Sequence, residues 1–305
     1  MTKRNYRDLL EGGFSAGRLL CIGLDPDLKK IPSHLRGGDT REVDEAANFC
    51  KGIVEATNHV ALAYKPNSAF FERFGGDGID RLAGLVRYIN EVAPHALVIL
   101  DAKRGDIGNS MQGYVDAAFD YIGADAMTAS PYLGQDACQP LLDRSDKGAI
   151  FLCKTSNPGS GEFQDREVCL DSQEEVRGLT PKGGTLSTFP GSVVSAPLYQ
   201  LVALNVSQKW NKNGNCGLVV GATYPQELAQ VRQVVGDMPI LIPGIGGQGG
   251  DEEATIAAGR DSRASGMIIN VGSAILYASS TEDCFQAAAA KAEYYSTRFS
   301  RLAIA

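Results

Sequence analysis

The sequence is poor in the patterns that mark metal sites, membrane spans and nucleic-acid-binding surfaces. It has 3 histidines and 1 tryptophan, and none of its 7 cysteines forms a C-x-x-C pair. No apolar run approaches the roughly 18 residues of a membrane span. Lysines and arginines are scattered, and the net charge of -7 leaves no basic footprint for nucleic acid or an anionic membrane. These absences favour a soluble protein that handles small molecules.

The cysteines and the N-terminus indicate a cytoplasmic protein. Several cysteines lie inside apolar runs, which is typical of buried free thiols in a reducing compartment. The first residues carry charge and lack the apolar stretch and cleavage site of a signal peptide. His34, His59 and His95 show no metal-ligand spacing. We therefore expect no metal site.

Short apolar runs alternate with amphipathic stretches, which predicts a parallel sheet covered by helices. The candidate strands are Arg18 to Leu24, Val60 to Tyr64, Leu97 to Leu100, Ala124 to Thr128, Ala149 to Lys154, Gly217 to Val220, Ile240 to Ile242 and Gly266 to Asn270. Helical patterns between them include Glu42 to Thr57, Ile79 to Val92 and Tyr224 to Val235.

Eight such units close into a (β/α)8 barrel, the TIM barrel of the α/β class, more naturally than they stay open. We therefore predict one domain over residues 1–305. An open doubly wound sheet is the alternative, but the glycine fingerprint expected after its first strand is missing.

One stretch, about residues 159–195 between the fifth and sixth strands, breaks this rhythm. Gly, Ser, Thr, Pro and charged residues replace any periodic pattern there. A loop of this length in a compact domain is usually functional or mobile. We expect an irregular, mobile excursion inserted in the barrel, with a helix resuming over Pro197 to Trp210.

Polar residues that end the apolar runs are the first candidates for chemistry, because the C-terminal ends of barrel strands open into one mouth. They are Asp25 after strand one, Lys65 after strand two, Asp101 and Lys103 after strand three, Lys154 to Ser156 after strand five, Thr223 after strand six, and Gly244 to Gly250 after strand seven.

The strongest local signal is Asp101-x-Lys103-x-x-Asp106, in which Asp101 and Lys103 share one face under the two-residue strand period. Lys65 on the neighbouring strand can reach the same face. In an alternating Lys, Asp, Lys, Asp array, each lysine keeps its neighbouring carboxylate ionised and presents an ammonium to a substrate. An ordinary ion-pair network at the barrel rim is the alternative interpretation of the spacing alone.

Further segments extend the pattern over nearly the whole chain. They are Leu24 to Asp27, Tyr64 to Glu72, Leu100 to Gly108, Ser130 to Gly134, Lys154 to Gly159, Val219 to Thr223, Pro243 to Asp251 and Ala274 to Ala278. With these segments in this order, the chain resembles the orotidine 5'-phosphate decarboxylase family, in its longer-chain bacterial subgroup. The resemblance implies decarboxylation of orotidine 5'-phosphate to UMP in pyrimidine biosynthesis, without metal or cofactor.

The resemblance also implies residue roles. Lys65, Asp101, Lys103 and Asp106 would form the catalytic tetrad, with Asp106 reaching across the interface of a homodimer into the partner's site. Lys103 would stabilise the carbanion at C6 of the pyrimidine and supply its proton. The resemblance implies that Asp25 binds the ribose, together with Ser110 from across the dimer. The other implied substrate-binding residues are Ser156 at the pyrimidine, Gln248 between base and phosphate, and Gly249, Gly272 and Ser273 at the phosphate.

The phosphate end departs from the family pattern. The family has an Arg that pairs with the phosphate where this chain has Ser273, so the charge-assisted fork is missing. Backbone N–H groups of Gly246 to Gly250 and Gly272 to Ala274 could hold the phosphate instead, with Gln248 and the Ser273 hydroxyl. Alternatively, Arg263 or another basic residue substitutes, or the activity is weakened.

Two rival functions stay open. A metal-assisted sugar-phosphate decarboxylase or synthase shares the D-x-K-x-x-D motif, but those enzymes place a carboxylate ligand where Lys65 stands. A cation at that position disfavours Mg²⁺. A catalytically silent barrel of the same family is the second rival, motivated by Ser273, although all four tetrad residues are present.

Overall fold

A computed structural model describes residues 4–37, 39–170, 172–179, 187–189, 193–247 and 249–305. The strands are β1 Leu20–Leu24, β2 Ala63–Pro66, β3 Leu97–Arg104, β4 Ala126–Ala129, β5 Gly148–Lys154, β6 Glu167–Cys169, β7 Ser187–Phe189, β8 Val193–Pro197, β9 Cys216–Val220, β10 Ile240–Pro243 and β11 Met267–Val271. The helices are α1 Tyr6–Ser15, α2 Glu42–Thr57, α3 Ala69–Glu72, α4 Gly76–Val92, α5 Gly108–Asp116, α6 Gln135–Leu142, α7 Gln173–Leu179, α8 Leu198–Asn205, α9 Pro225–Val235, α10 Glu252–Gly259, α11 Ser273–Leu276 and α12 Cys284–Ile304.

Eight parallel strands close into a barrel in the order β1, β2, β3, β4, β5, β9, β10, β11. The predicted TIM barrel is therefore confirmed, and each predicted strand overlaps an observed one. The second strand begins at Ala63 rather than Val60, and the third continues to Arg104 rather than ending at Leu100. No helix among the described residues is long and apolar enough to cross a bilayer.

The strands alternate between two apolar layers, as the two-residue period requires. Leu20 and Ile22 pack outward against the helices, whereas Cys21 belongs to the cluster inside the barrel. Helix α1 covers the N-terminal end of the barrel, where Tyr6 and Leu10 join the interior cluster. The interior is thus a packed core, and only the C-terminal end stays open for a site.

The prediction that several cysteines are buried free thiols is confirmed, because six of the seven are free and buried. Cys169 is free and exposed. Cys169 ends β6, an edge strand outside the barrel, so its side chain has no second layer to pack against.

The chain between β5 and β9 leaves the barrel, as the break in periodicity predicted. It forms an antiparallel sheet in the order β6, β8, β7, with α7 between β6 and β7. Residues 171, 180–186 and 190–192 of the predicted excursion lie outside the described residues. Helix α8 and one π-helical turn, Val206–Trp210, then match the helix predicted before strand six.

Lys154, the last residue of β5, attaches the excursion to the barrel. Its ammonium donates to both carboxylate oxygens of Asp165, at 2.6 and 2.7 Å, and to the Ser160 hydroxyl at 3.1 Å. It also lies 4.3 Å from the Tyr224 ring centroid. Because the Lys154 side chain is 1% exposed, these partners offset the cost of burying its ammonium.

We expect Asp165→Asn to lower the free energy of unfolding by about 2 kcal/mol, because it leaves a buried ammonium without its carboxylate. The effect is smaller than for a fully buried pair, since the Asp165 side chain is 46% exposed. Urea unfolding measures the change. Glu162→Gln, an exposed change in the same loop, is the control and should have little effect. The double variant Lys154→Met/Asp165→Asn should recover part of the loss, and a double variant no more stable than Asp165→Asn would contradict the pairing.

Candidate active site

A cavity of about 680 Å³ opens at the C-terminal ends of the barrel strands. This volume suits a small-molecule ligand. Seven of the residues predicted for the site line it: Asp25, Lys65, Asp101, Lys103, Ser156, Gly272 and Ser273. They come from loops and strand ends on both sides of the barrel mouth.

The Asp101 carboxylate is the centre of one side of the cavity. Its Oδ2 accepts from the Lys65 ammonium at 2.6 Å, and its Oδ1 accepts from the Lys103 ammonium at 2.6 Å. The Thr128 hydroxyl donates to Oδ1 at 3.0 Å. Lys65 is 5% exposed and Asp101 10%, whereas Lys103 is 50% exposed. Lys103 is therefore the ammonium that this array presents to the cavity.

The backbone at Lys103 departs from regular strand geometry. Its φ is 50°, in the left-handed region that a non-glycine residue rarely adopts. The pairing of β3 with β4 shifts register between Leu100 and Arg104, and the N–H groups of Ala102 and Lys103 donate to the Thr128 hydroxyl instead, at 3.1 and 3.0 Å. Such irregularities re-aim a side chain next to a site. Asp101 and Lys103 thus meet through this irregularity rather than through simple alternation.

Burial and pairing act in opposite directions on the charges of the array. Burial alone raises the pKa of Asp101, but the ammonium groups of Lys65 and Lys103 outweigh it, so the pKa lies well below its usual range. Burial lowers the pKa of Lys65, but the carboxylates of Asp101 and Asp25 raise it above its ordinary value. Both members of the buried pair are therefore charged at neutral pH.

Asp25 contributes a carboxylate with an open hydrogen-bonding position. Its Oδ1 is buried and has no hydrogen-bond partner among the described residues. Burial raises the pKa of this carboxyl group, with the nearby Lys65 charge opposing the shift. A buried acceptor without a donor is costly, so the position suits a hydroxyl group of a ligand.

The corner of the cavity predicted for phosphate contains Gly247, Gly272 and Ser273. A Cβ atom on Gly247 would lie 2.8 Å from the Ser273 Oγ, so the loop after β10 passes close to α11. Arg263 is not in this corner. Its guanidinium pairs with Glu11 and Asp261 at the opposite end of the barrel, which rules out the predicted substitution by Arg263.

Several predicted site residues do not line this cavity. Asp106 and Ser110 lie beyond its rim, Ser110 on exposed α5, and Gly249 is also outside the lining. Gln248 lies outside the described residues. Of the wider set of strand-end residues, Lys154 points into the excursion, and Thr223 donates to the Ser156 carbonyl at 3.5 Å.

Other lining residues carried no sequence-based role: Thr128, Asn270, Gln164, Lys30 and Tyr277. Thr128 and Asn270 are each the next-to-last residue of an apolar strand, so a search for polar residues at strand ends could have found them. Gln164 belongs to the excursion, and its amide holds Thr155 by accepting from the backbone N–H at 2.9 Å. No local pattern marks that contact.

Comparison with known proteins agrees with this geometry. Residues 18–288 match the orotidine 5'-phosphate decarboxylase / HUMPS family. The chain belongs to this family. It is 48% identical over 269 residues to the orotidine 5'-phosphate decarboxylase of Janthinobacterium sp. (strain Marseille), covering 88% of both chains. It is 47% identical over 271 residues to that of Cupriavidus necator, covering 89% of this chain and 88% of the relative.

Solved structures give the same result for the fold. The OMP decarboxylase of Leishmania donovani superposes with a TM-score of 0.76 at 35% identity, covering 99% of each chain. The Leishmania donovani UMP synthase gives a TM-score of 0.78 at 36% identity, covering 99% of this chain and 57% of that one.

We expect Asp101→Asn to lower the free energy of unfolding by about 3 kcal/mol at neutral pH, because the buried Lys65 ammonium loses its carboxylate. The pKa of Asp101 is lower in the folded state than its value of about 4 in the unfolded state. Its contribution to the free energy of unfolding is therefore complete above the unfolded-state pKa and is lost as the pH falls through the folded-state pKa. Wild type and variant should therefore differ by a constant amount from about pH 5 to pH 9, and by less below about pH 4.

Urea unfolding at a series of pH values measures this difference. Asp77→Asn is the control, because Asp77 is 61% exposed and pairs with exposed Arg41 at 2.5 Å. It should change stability by less than about 0.5 kcal/mol at any pH. A difference between wild type and Asp101→Asn that grew on acidification would contradict the assignment.

Proposed function

We propose that this protein decarboxylates orotidine 5'-phosphate to UMP, the step that its family relatives are named for. The observation that carries the proposal is the Lys65–Asp101–Lys103 array, with one ammonium presented to a cavity of suitable size. In the proposed pose, the ribose hydroxyls satisfy the open Asp25 Oδ1 and the pyrimidine lies towards Ser156 and Lys103.

The chemistry follows from the position proposed for Lys103. As the bond from C6 to the carboxylate breaks, CO2 leaves and the electron pair stays on C6. The Lys103 ammonium stabilises this charge and then transfers its proton to C6. Asp101 holds the ammonium in position before the reaction, so little free energy is needed to reorganise the site as the charge develops. Solvent afterwards returns the proton to Lys103.

The donor set argues against the metal-assisted rival. Both oxygens of Asp101 are taken by lysine ammonium groups at 2.6 Å, which leaves Asp101 no free edge for a divalent cation. Among the described parts of the chain, no three potential ligand side chains gather into a metal-binding group. We therefore propose a reaction that needs neither metal nor cofactor.

We further propose a homodimer in which Asp106 and Ser110 complete the partner's site. Both residues lie beyond the rim of their own cavity. Close to them in the chain, Ile107 is 62% exposed and Tyr114 is also exposed, and Tyr132 and Leu133 after β4 are exposed apolar side chains as well. Exposed apolar groups of this size are typical of protein contacts. A second Asp106 would add a carboxylate beside the accessible Lys103.

Purified protein treated with EDTA should convert orotidine 5'-phosphate to UMP. The decrease in absorbance of the substrate's orotate ring measures this conversion. Lys103→Ala should lower kcat by at least about a thousandfold while urea unfolding stays near wild type, because the proton donor is lost. Lys212→Ala, an exposed change away from the cavity, is the control and should be fully active. Turnover abolished by EDTA would favour the metal-assisted rival, and no turnover at millimolar substrate would favour a silent barrel.

Mixing two inactive variants tests the shared site. Lys103→Ala and Asp106→Ala homodimers should each be inactive, whereas an equal mixture that exchanges subunits should regain about a quarter of wild-type activity. The gain arises because half of the dimers are then mixed, and each mixed dimer has one site with both native residues. Activity that stays at the level of the separate variants after proven subunit exchange would contradict the proposal.

A further inference from the structure

We propose that Lys30 binds the 5'-phosphate and supplies the positive charge that Ser273 lacks. This inference rests on the proposed function, since it assigns a residue to the phosphate end of that substrate. It concerns a loop residue that the strand-end pattern did not single out.

Barrel topology places Lys30 and Ser273 on the same side of the cavity. Lys30 follows β1 and Ser273 follows β11, and these strands are neighbours, with Ile22 paired to Val271. Both residues line the cavity. The Lys30 ammonium lies 5.6 Å from the centroid of the Tyr277 ring, and the Tyr277 backbone N–H donates to the Ser273 carbonyl at 3.0 Å.

The loop that carries Lys30 is held in place, whereas the Lys30 side chain is exposed and only loosely paired. The Tyr277 hydroxyl accepts from the Asp27 N–H at 2.7 Å and donates to the Asp25 carbonyl at 3.0 Å. The Lys30 N–H donates to the Asp27 carbonyl at 2.8 Å. In contrast, the Lys30 side chain is 59% exposed, and its ion pair with the Asp27 carboxylate is 4.0 Å long. Such a loose, exposed pair contributes little and is readily exchanged for a dianion.

The charges around the cavity leave Lys30 as the available cation. Among the described lining residues, the lysines are Lys30, Lys65 and Lys103, and there is no arginine. Lys65 and Lys103 are both bound to Asp101 on the β2 and β3 side. A flexible ammonium can bind phosphate as a point charge, without the fixed fork geometry of an arginine.

Lys30→Met tests the assignment, because it keeps most of the aliphatic stem and removes the charge. The dissociation constant for UMP, measured by calorimetry, and KM for orotidine 5'-phosphate should both rise about tenfold. Inhibition by uridine, which has no phosphate, should be unchanged. Lys30→Arg should retain the affinity for UMP. Lys29→Met is the matched control, since Lys29 is the adjacent exposed lysine and does not line the cavity.

A second background separates charge replacement from a structural effect. In a Ser273→Arg background, Lys30→Met should raise the dissociation constant for UMP by less than about twofold, because the guanidinium now pairs with the phosphate. Unchanged UMP affinity in Lys30→Met, or an equal loss of affinity for uridine, would overturn the role of Lys30. The proposed function would still stand if the wild-type protein turned over the substrate. A wild-type chain without turnover would overturn the proposed function and this inference with it.

Discussion

The carboxylate of Asp101 lies between two lysine ammonium groups, and the geometry of one whole side of the cavity depends on this arrangement. Burying the charges of Lys65 and Asp101 is costly, and only close pairing with good hydrogen bonds makes it tolerable. The two ammonium contacts at 2.6 Å and the Thr128 hydroxyl bond satisfy the carboxylate from three directions. In return, Asp101 stays ionised and holds Lys103 at the surface of the cavity.

Three consecutive barrel strands are needed to build this array. Lys65 comes from β2, Asp101 and Lys103 from β3, and Thr128 from β4. Thr128 has two tasks, because its hydroxyl both supports the carboxylate and replaces the backbone partners lost where β3 leaves its register. Charge placement and backbone irregularity are therefore coupled through the Thr128 hydroxyl. This coupling explains why a lysine can occupy a left-handed conformation there.

The barrel and seven of the residues that line the cavity could be predicted from the sequence, because polar side chains follow the apolar strands at the mouth of the barrel. The same rule misplaced Lys154. Leu152 lines the cavity, and simple alternation would place Lys154 there too, but the pairing of β5 with β9 shifts register between the two residues. Lys154 turns into the excursion instead. Local spacing cannot reveal such a shift, since it arises from contacts between strands distant in the chain.

The two ends of the cavity are physically separable, and this bears on the meaning of Ser273. In the proposed pose, the reacting carbon lies beside the Lys65–Asp101–Lys103 array on β2 and β3, whereas the phosphate binds to the loops after β1 and β11. A serine rather than an arginine at the proposed phosphate end therefore leaves the reacting groups unchanged. It reduces the binding energy of a remote substrate part, which enzymes use to orient the reacting part. If Lys30 binds the phosphate as proposed, this neighbouring loop cation preserves that energy without changing the array, and the barrel can accept Ser273 where the family resemblance implies an arginine.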